Sequence, residues 1–600
     1  MSSTASAPPA AAGGTASAAT TPTAAPTPAP GPGGGPSAAA AGKAPLFSAA
    51  AWAPLKVDLF RSLYIATSVA QIGTWAREAG SPALMALLTQ EWANKPAMIG
   101  RITFYSNLPI CLFSLLAGAL ADVLDRRRVL IWTHVWMIVV SAVLAFLTYT
   151  NHVTPWGLLG ITFLLGVGTA ATGPALQAVL PELVPPKDMA LAINLNSVAL
   201  NVARAVGPAT FVLVVALFPS PPPAAKGQPV DVVSRLPGIA TSYLLSAMTF
   251  AGAAWVLWRW KRAPQAAAAH GEGVFAAIRT GTKYVLHSPA NRAILIRVMA
   301  FIVPAVVLWS QVPLIAENQL GMPRTPQSYA ILFAFVGMGA ILGVLLMPGL
   351  QSRFKIDPVV NVCILLYAAT LVAMSLITSV WVAAFVLIFT GVNWVIIPTS
   401  FNTATQKSVP LWVKGRAISF YLTVLFGSFA IGGELWGRVT TGTSIHVSLI
   451  SGGIGMAALL VLAKRYPLTI NDGLDLTPAY PKGSTPPAIP VADGRPLPAT
   501  GRVELTSKYV VDYSSEPAFH ALLKRLQQQR LRNGAVRVRL DRGHLPGHYT
   551  ETVVYRSKAD FDRMPNRLTK ADAKLQQEAA QYLARNEEFP VRVAGENLWI

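Results

Sequence analysis

The 600-residue chain contains few charged residues. Charged side chains make up 12% of the sequence and apolar side chains 53%, and this charged fraction is about half of that usual in globular proteins. A chain of this length with so few charges cannot cover the surfaces of several soluble domains. The composition therefore excludes an ordinary soluble protein and indicates a polytopic integral membrane protein.

Cysteine and nucleotide-binding motifs are also scarce. The two cysteines, Cys111 and Cys363, both lie in apolar stretches and show neither a disulfide framework nor metal-ligand spacing. No segment matches the phosphate-binding pattern G-x-x-x-x-G-K-[ST], so ATP is not expected to be the direct energy source. We therefore expect no metal site and no cofactor.

The formal net charge of +21 raises the question of nucleic-acid binding. No basic run interleaved with aromatic residues is present, and the lysines and arginines lie beside apolar spans. An excess of basic residues on the cytoplasmic side of membrane spans explains the sign of the charge better. Nucleic acid is therefore not an expected partner, whereas the lipid bilayer is.

The order of apolar and polar segments predicts the domain organisation. Residues 1–52 are rich in Ala, Pro and Gly and are expected to form a disordered tail. About twelve spans of roughly 20 residues follow, six within residues 53–262 and six within 293–465. The polar stretch 263–292 between them is expected to be a cytoplasmic central loop, a layout expected of a duplicated transporter.

The short loops between spans predict the orientation. Basic residues cluster in alternate loops, beginning with Arg126, Arg127 and Arg128, whereas loops 149–155 and 379–381 contain no Lys or Arg. The positive-inside rule places the basic loops, the central loop and both termini in the cytoplasm.

The composition changes again after the last span. Residues 466–501 form a Pro-, Gly- and Thr-rich linker, and 502–600 have the patterning of a soluble domain. Alternating strands and two amphipathic helices give the order βαββαβ, the ferredoxin-like arrangement. Asn533-Gly534 would close the first helix, and Thr569 with Asp572 would begin the second.

Residues 118–130 (GALADVLDRRRVL) join the second and third predicted spans by a tight turn. They resemble the signature loop of the major facilitator superfamily in Gly118, Asp122, Asp125, Arg126 and Arg127. The resemblance implies an all-α membrane protein of twelve transmembrane helices in two six-helix bundles, here with a small α+β domain added. It also implies a gating role, in which Asp122 acts as a carboxylate latch that holds the outward-facing state. The alternative is a cytoplasmic anchor of basic residues with incidental carboxylates.

A longer resemblance narrows the family. Residues 402–417 (NTATQKSVPLWVKGRA), residues 426–437 and parts of the C-terminal domain are similar to transmembrane secretion effectors, a subgroup related to enterobactin exporters. The resemblance implies proton-linked export of small amphipathic, drug- or siderophore-like molecules across a bacterial inner membrane, with no enzymatic activity. Of the antiporter pattern G-x-x-x-G-P, only Gly207-Pro208 is present in this sequence. This departure from the pattern counts against strict antiport.

Ionisable residues inside apolar spans cost at least ~2.5 kcal/mol at mid-bilayer, so they are expected to face a cavity or a partner. The candidates for proton or substrate binding are Glu78, Arg77, Arg204, Glu434 and Arg438. Glu78 and Glu434 are the preferred proton-binding carboxylates, because desolvation favours the protonated form. The alternatives are that Glu434 simply pairs with Arg438, four residues on along the helix, and that Glu78 pairs with Arg77 or lies near the membrane interface.

Two further sets of residues complete the predicted site. Aromatic and amide side chains suit planar or amphipathic substrates, and those expected to line the cavity are Gln71, Trp75, Asn107, Gln311, Asn393 and Trp394. Arg297 and Glu317 lie near the ends of spans and are expected to be interface anchors.

Two other readings of the sequence stay open. An importer or uniporter has the same fold, because the fold does not determine the direction of transport. The C-terminal domain resembles small dimeric α+β barrel monooxygenases, which makes it a candidate enzyme, ligand sensor or homodimer interface. Its only residues with plausible chemistry are His520, His544, His548 and Tyr549, and they show no metal-ligand spacing.

Overall fold

The structure, a computed structural model, describes residues 49–185, 188–218, 233–260, 274–468, 474–480, 501–583 and 591–593. The predicted tail 1–52 lies outside the described residues up to residue 48, and most of the predicted linker 466–501 also lies outside them. The short 3-10 helix Ala49–Lys56 overlaps the last four residues of the predicted tail.

Two groups of six long helices make up most of the described chain. The first bundle contains α1 (Asp58–Leu88), α2 (Lys95–Val123), α3 (Arg126–Tyr149), α4 (Pro155–Leu183), α5 (Met189–Ala216) and α6 (Leu236–Arg259). A shorter helix, α7 (Val274–His287), follows in the predicted central loop. The second bundle contains α8 (Pro289–Ser310), α9 (Pro326–Arg353), α10 (Ile356–Leu376), α11 (Val380–Lys407), α12 (Lys414–Gly442) and α13 (Ile445–Leu459), which continues as Val461–Arg465.

Eleven of the helices in the described chain are long and apolar enough to cross a membrane. The twelfth, α1, is 31 residues long, but polar residues along it lower its hydropathy. Large apolar side chains point outward from both bundles, among them Trp132 at 72% and Trp381 at 81% exposure. Such a surface is costly in water and is expected of helices that face lipid.

Local sequence explains where several helices begin. Asp125 accepts a hydrogen bond from the Arg128 N–H at 3.2 Å and so caps α3. Thr154 and Thr325 cap α4 and α9 in the same way, and each is followed by a proline at the first helical position. These side chains satisfy N–H groups that have no partner within the helix.

The bundles meet along a seam formed by α2 and α12, with α5 packed against α9. Glycines bring the seam helices close together, because a Cβ atom at Gly100 would overlap the carbonyl oxygen of Gly433. Further along, the Ser114 and Thr423 hydroxyls are hydrogen-bonded at 2.6 Å. We call the end with turns 124–125, 354–355 and 408–413 the tail face, and the end with turns 89–94, 150–154 and 377–379 the far face.

The C-terminal domain contains β1 (Val503–Val510), α14 (Glu516–Arg532), β2 (Arg537–Arg542), β3 (His548–Tyr555), α15 (Lys570–Ala580) and β4 (Val591–Val593), with short helices Lys558–Asp562 and Met564–Arg567 after β3. The sheet order is β2-β3-β1-β4 and every pairing is antiparallel. The predicted βαββαβ order is therefore confirmed. Thr569 and Asp572 form the predicted capping box of α15.

The C-terminal domain packs on the tail face of the transmembrane part. The α7 helix packs against α2, α12 and α14. The Arg532 guanidinium lies 5.4 Å from the Tyr284 ring centre, and Arg567 lies 5.4 Å from that of Trp412. The Trp412 indole also donates to the Arg567 carbonyl oxygen at 3.1 Å. Burial in this contact raises the pKa of Tyr284 to about 12.

Candidate transport site and gate

The signature loop connects α2 and α3 at the tail face. A Cβ atom at Gly118 would lie 2.6 Å from the Ser419 Oγ of α12, so this glycine permits the close seam. Arg126 pairs with Glu182 of α4 at 2.9 Å, and Arg127 donates to carbonyl oxygens at the end of α6. The loop thus ties three helices of the first bundle together. The side chain of Asp122 lies outside the described residues.

Three predicted charged residues lie together with Trp75 in the first bundle. Arg77 of α1 is 1% exposed and contacts Glu78 at 3.1 Å, in agreement with the alternative that these neighbours pair. Arg204 of α5 stacks on Trp75, with the guanidinium carbon 5.0 Å from the ring centre. The Asn201 side chain accepts from Arg204 at 3.3 Å.

Glu434 of α12 lies at the seam between the bundles. It accepts from Arg438 at 2.7 Å along the same helix, as the alternative prediction stated. It also contacts Arg101 of α2 at 3.5 Å, a partner that sequence reasoning missed because it lies in the other bundle. The pair therefore crosses the seam.

Glu317 differs most from its predicted role. It was expected to be an interface anchor, but its side chain is only 3% exposed. It lies in the π-helix Ile315–Gln319 that follows α8, an irregularity that is frequent at functional sites. Its carboxylate accepts from the Tyr329 hydroxyl and contacts Arg324 at 3.5 Å. Lys95, at the start of α2 in the first bundle, contacts Glu317 at 2.7 Å. Glu317 therefore connects the two bundles at the far face.

Arg297 also differs from an interface anchor. Its side chain is 3% exposed and forms a hydrogen-bonded ion pair with Asp357 at the start of α10. The same carboxylate accepts from the Leu468 N–H at 3.2 Å. This network binds the chain that follows the last membrane helix to the second bundle.

The predicted cavity residues are divided between the bundles. Gln71 and Trp75 are half-buried on α1, and the Asn107 amide donates to the Thr103 carbonyl oxygen within α2. In the second bundle, Gln311, Asn393 and Trp394 are buried. Trp394 lies 4.6 Å from Trp309, ring centre to ring centre.

A narrow apolar crevice lies beside this tryptophan pair in the second bundle. Its lining residues are Leu308, Trp309, Val312, Ile315, Leu332, Phe333, Val336, Met374 and Leu387. The crevice offers apolar contact but no charged partner. A charged group would therefore find its partners among the first-bundle residues rather than here.

The predicted chemistry of the C-terminal domain is only partly brought together. The Tyr549 hydroxyl donates to Glu516 and lies 3.3 Å from His520 Nε2, and the hydrogen bond to Glu516 raises the pKa of Tyr549. The His548 Nδ1 lies 3.1 Å from the Pro546 carbonyl oxygen. No group of three or more His, Cys, Asp or Glu residues that could hold a metal ion occurs within the described ranges.

A buried network in the same domain was missed by sequence reasoning. Glu551 of β3 is fully buried, accepts from the Tyr509 hydroxyl at 3.0 Å and contacts Arg530 of α14 at 3.2 Å. Burial lowers the pKa of Arg530, but the Glu551 carboxylate outweighs this effect, and the net shift is upward. Tyr509 also belongs to one of the two apolar clusters of the domain.

The chain is similar to known transport proteins. It is 33% identical over 124 residues to the staphyloferrin A transporter of Staphylococcus aureus, covering 20% of this chain and 31% of that protein. It is 25% identical over 122 residues to macrolide efflux protein A of Enterococcus faecalis, covering 20% of this chain and 38% of that protein. The chain thus spans about a third of the length of the curated relatives it matches.

Solved structures support the fold. The POT family transporter PepTSo aligns with a TM-score of 0.51 at 12% identity, covering 69% of this chain and 99% of that one. An auto-inhibited POT family peptide transporter aligns with a TM-score of 0.51 at 14% identity, covering 69% and 98%. The family model described as transmembrane secretion effector matches residues 49–594, nearly the whole described chain. The chain therefore belongs to the transmembrane secretion effector family of major facilitator transporters.

Proposed function

We propose that the protein is a proton-coupled exporter of small amphipathic molecules in the bacterial inner membrane, with both termini in the cytoplasm. The observation that carries this proposal is the buried ion pair between Lys95 and Glu317, which joins the two bundles at the far face. In alternating access, contacts of this kind form and break as the bundles rock about a site between them. The loops rich in lysine and arginine support a cytoplasmic location for the tail face.

The far face is closed by a small number of separable contacts. Besides Lys95 and Glu317, Arg101 and Glu434 contact each other across the seam, and glycines allow the helices to meet there without large interlocking side chains. Ion pairs and glycine contacts can separate without leaving a large apolar surface unpaired. This arrangement supports a gate that opens toward the outside of the cell.

The family and the names of the relatives support efflux. Transporters for staphyloferrin A and macrolides are among the similar proteins. Proton coupling is proposed through Glu78 or Glu434, which both face an arginine and are both partly accessible, with side chains 34% and 20% exposed. A carboxylate of this kind can exchange its arginine partner for a proton during the cycle.

The test uses everted membrane vesicles energised by a proton gradient and supplied with fluorescent amphipathic compounds. Accumulation inside the vesicles, lost with a protonophore and in Asp122→Asn, is the expected result. Asp58→Asn is the matched control, because Asp58 is an exposed carboxylate at the start of α1. Accumulation in right-side-out vesicles instead would contradict export and favour the importer of the same fold. Accumulation that persists with the protonophore would contradict proton coupling.

We also propose that the C-terminal domain has a regulatory role. Two of its arginines, Arg532 and Arg567, stack on aromatic rings of α7 and of the turn before α12, and α7 also packs against α2 and α12. The domain is therefore in contact with the helix that lies across the seam. Turnover of quinol-like substrates with oxygen uptake by the full chain would contradict a purely regulatory role.

A further inference from the structure

The charges of the transmembrane interior are not balanced within the first bundle. Arg77 and Arg204 both lie in the middle part of their helices, whereas Glu78 is the acidic residue that contacts either of them among the described residues. Two other arginines of the transmembrane part are paired with carboxylates, Arg297 with Asp357 and Arg101 with Glu434. The two guanidiniums and one carboxylate leave one positive charge in excess.

Arg204 has no acidic partner among the described residues. Its guanidinium stacks on Trp75 and donates to Asn201, an uncharged amide. Its Nε is shielded from solvent and makes no hydrogen bond. The face of the guanidinium is occupied by the indole ring, so its edge is the part that a ligand can reach.

Arg77 of α1 shows the same pattern. It is 1% exposed, and its Nε and Nη1 make no hydrogen bond, while Glu78 takes only Nη2. Trp75 and Glu78 are three residues apart and therefore share one side of α1. Gln71 and Trp75, one turn apart, are both half-buried, so the neighbouring helices do not fully cover this side of α1.

An unpaired charge in this position is unfavourable. An arginine at the centre of a membrane helix costs at least ~2.5 kcal/mol, and removal from water is repaid only by an opposite charge with good hydrogen bonds. A cation entering the site would be repelled by two guanidiniums. A planar acid group, in contrast, matches the edge of a guanidinium with two parallel hydrogen bonds.

We propose that the transported substrate is an organic anion, whose acid group is bound by Arg204 and whose aromatic or apolar body lies against Trp75. This inference rests on the proposed export function and specifies its substrate class. Arg77 and Glu78 pair beside the site, so the Arg204 guanidinium is left for the bound acid. With the acid bound, two carboxylates balance two guanidiniums, and the excess positive charge is neutralised.

The test measures binding separately from transport. Three probes with one aromatic body are compared by calorimetry on the purified full chain: pyrenebutyric acid, its methyl ester and pyrenebutylamine. The acid is expected to bind at least tenfold more tightly than the ester or the amine. Arg204→Gln should abolish this preference without weakening ester binding, and Arg204→Glu should favour the amine. Arg353→Gln is the matched control, because Arg353 is an exposed arginine at the end of α9.

The melting temperature shows whether the variants fold. Arg204→Gln leaves no carboxylate without its partner among the described residues. Its melting temperature should therefore equal or exceed that of the unsubstituted protein. Equal binding of the three probes, or tighter binding of the amine, would overturn the inference. Stabilisation by chloride that depends on Arg204 and is not displaced by pyrenebutyric acid would also overturn it, because the site would then hold an inorganic anion.

Transport in everted vesicles separates this inference from the proposed function. Accumulation of the amine but not of the acid would refute the anionic substrate and leave export intact. Arg204-dependent binding of the acid with no accumulation of it would support the anion site and count against export.

Discussion

Replacing Glu317 by glutamine should open the far face of the two bundles. Glu317 is 3% exposed and Lys95 10%, so the substitution leaves a buried ammonium without an acidic partner among the described residues. Removing one member of a buried pair costs about 3–5 kcal/mol. If the closed state bears this cost and the open state does not, the ratio of open to closed molecules rises by roughly 200- to 5,000-fold.

The network predicts that the two single substitutions are unequal. In Lys95→Met, the Glu317 carboxylate keeps the Tyr329 hydroxyl and Arg324, so the closed state loses less than in Glu317→Gln. The double variant Lys95→Met/Glu317→Gln contains no buried charge of the pair and should lie closer to the unsubstituted protein than Glu317→Gln does. This ordering distinguishes a cross-bundle pair from two independent surface charges.

The assay is the distance between spin labels on the two bundles. Asn151 and Ser379 lie in exposed far-face turns of the first and second bundle, and the two native cysteines would first be replaced by serine. Glu317→Gln should shift the distribution to longer distances. Asp58→Asn removes a carboxylate that is 85% exposed and should leave it unchanged. Equal distributions for all variants, or additive effects in the double variant, would refute the gate.

Three further outcomes follow from the described contacts. Gly100→Ala should lower transport because the added methyl group overlaps the backbone of α12, whereas Gly160→Ala, with open space around it, should not. Both are measured by uptake into vesicles, and equal losses of uptake would contradict the tight seam. Trp412→Ala should release the C-terminal domain and speed proteolysis in residues 481–500 several-fold, and an unchanged cleavage rate would count against the docking. Because the Glu516 carboxylate raises the pKa of Tyr549, that tyrosine contributes stability below pH ~10 that is lost as the pH rises through its folded pKa. Glu516→Gln should lower the pH midpoint of Tyr549 ionisation, measured as the absorbance difference from Tyr549→Phe. An unchanged midpoint would exclude Glu516 as the cause.

The fold follows from features that are local in the sequence. Spans of about 20 apolar residues form helices in a bilayer because the backbone groups must be hydrogen-bonded within the segment. The helices begin at capping residues such as Asp125 and Thr154. Alternation in residues 503–511 and the capping box at Thr569 likewise predict the C-terminal domain. The α7 helix was not predicted, because a short amphipathic segment among polar residues resembles a loop.

The candidate site depends on contacts between distant parts of the chain, and there the sequence was less informative. Arg77 and Glu78, or Glu434 and Arg438, are neighbours along a helix, so their pairing was foreseeable. The position of Glu317 at the end of a span predicts an interface anchor. That prediction assumes that the side chain extends along the helix toward water.

Two structural features explain why the Glu317 side chain does not extend toward water. The π-helix Ile315–Gln319 carries the carboxylate into the interface between the bundles, where Lys95, 222 residues away, meets it. No local pattern specifies that meeting, because it arises only when the two bundles are brought into contact. Rotating the bundles apart separates these two groups but leaves each local ion pair intact. A carboxylate that senses the state of the transporter is therefore recognised by having its partner in the opposite bundle, and not by its depth in a span.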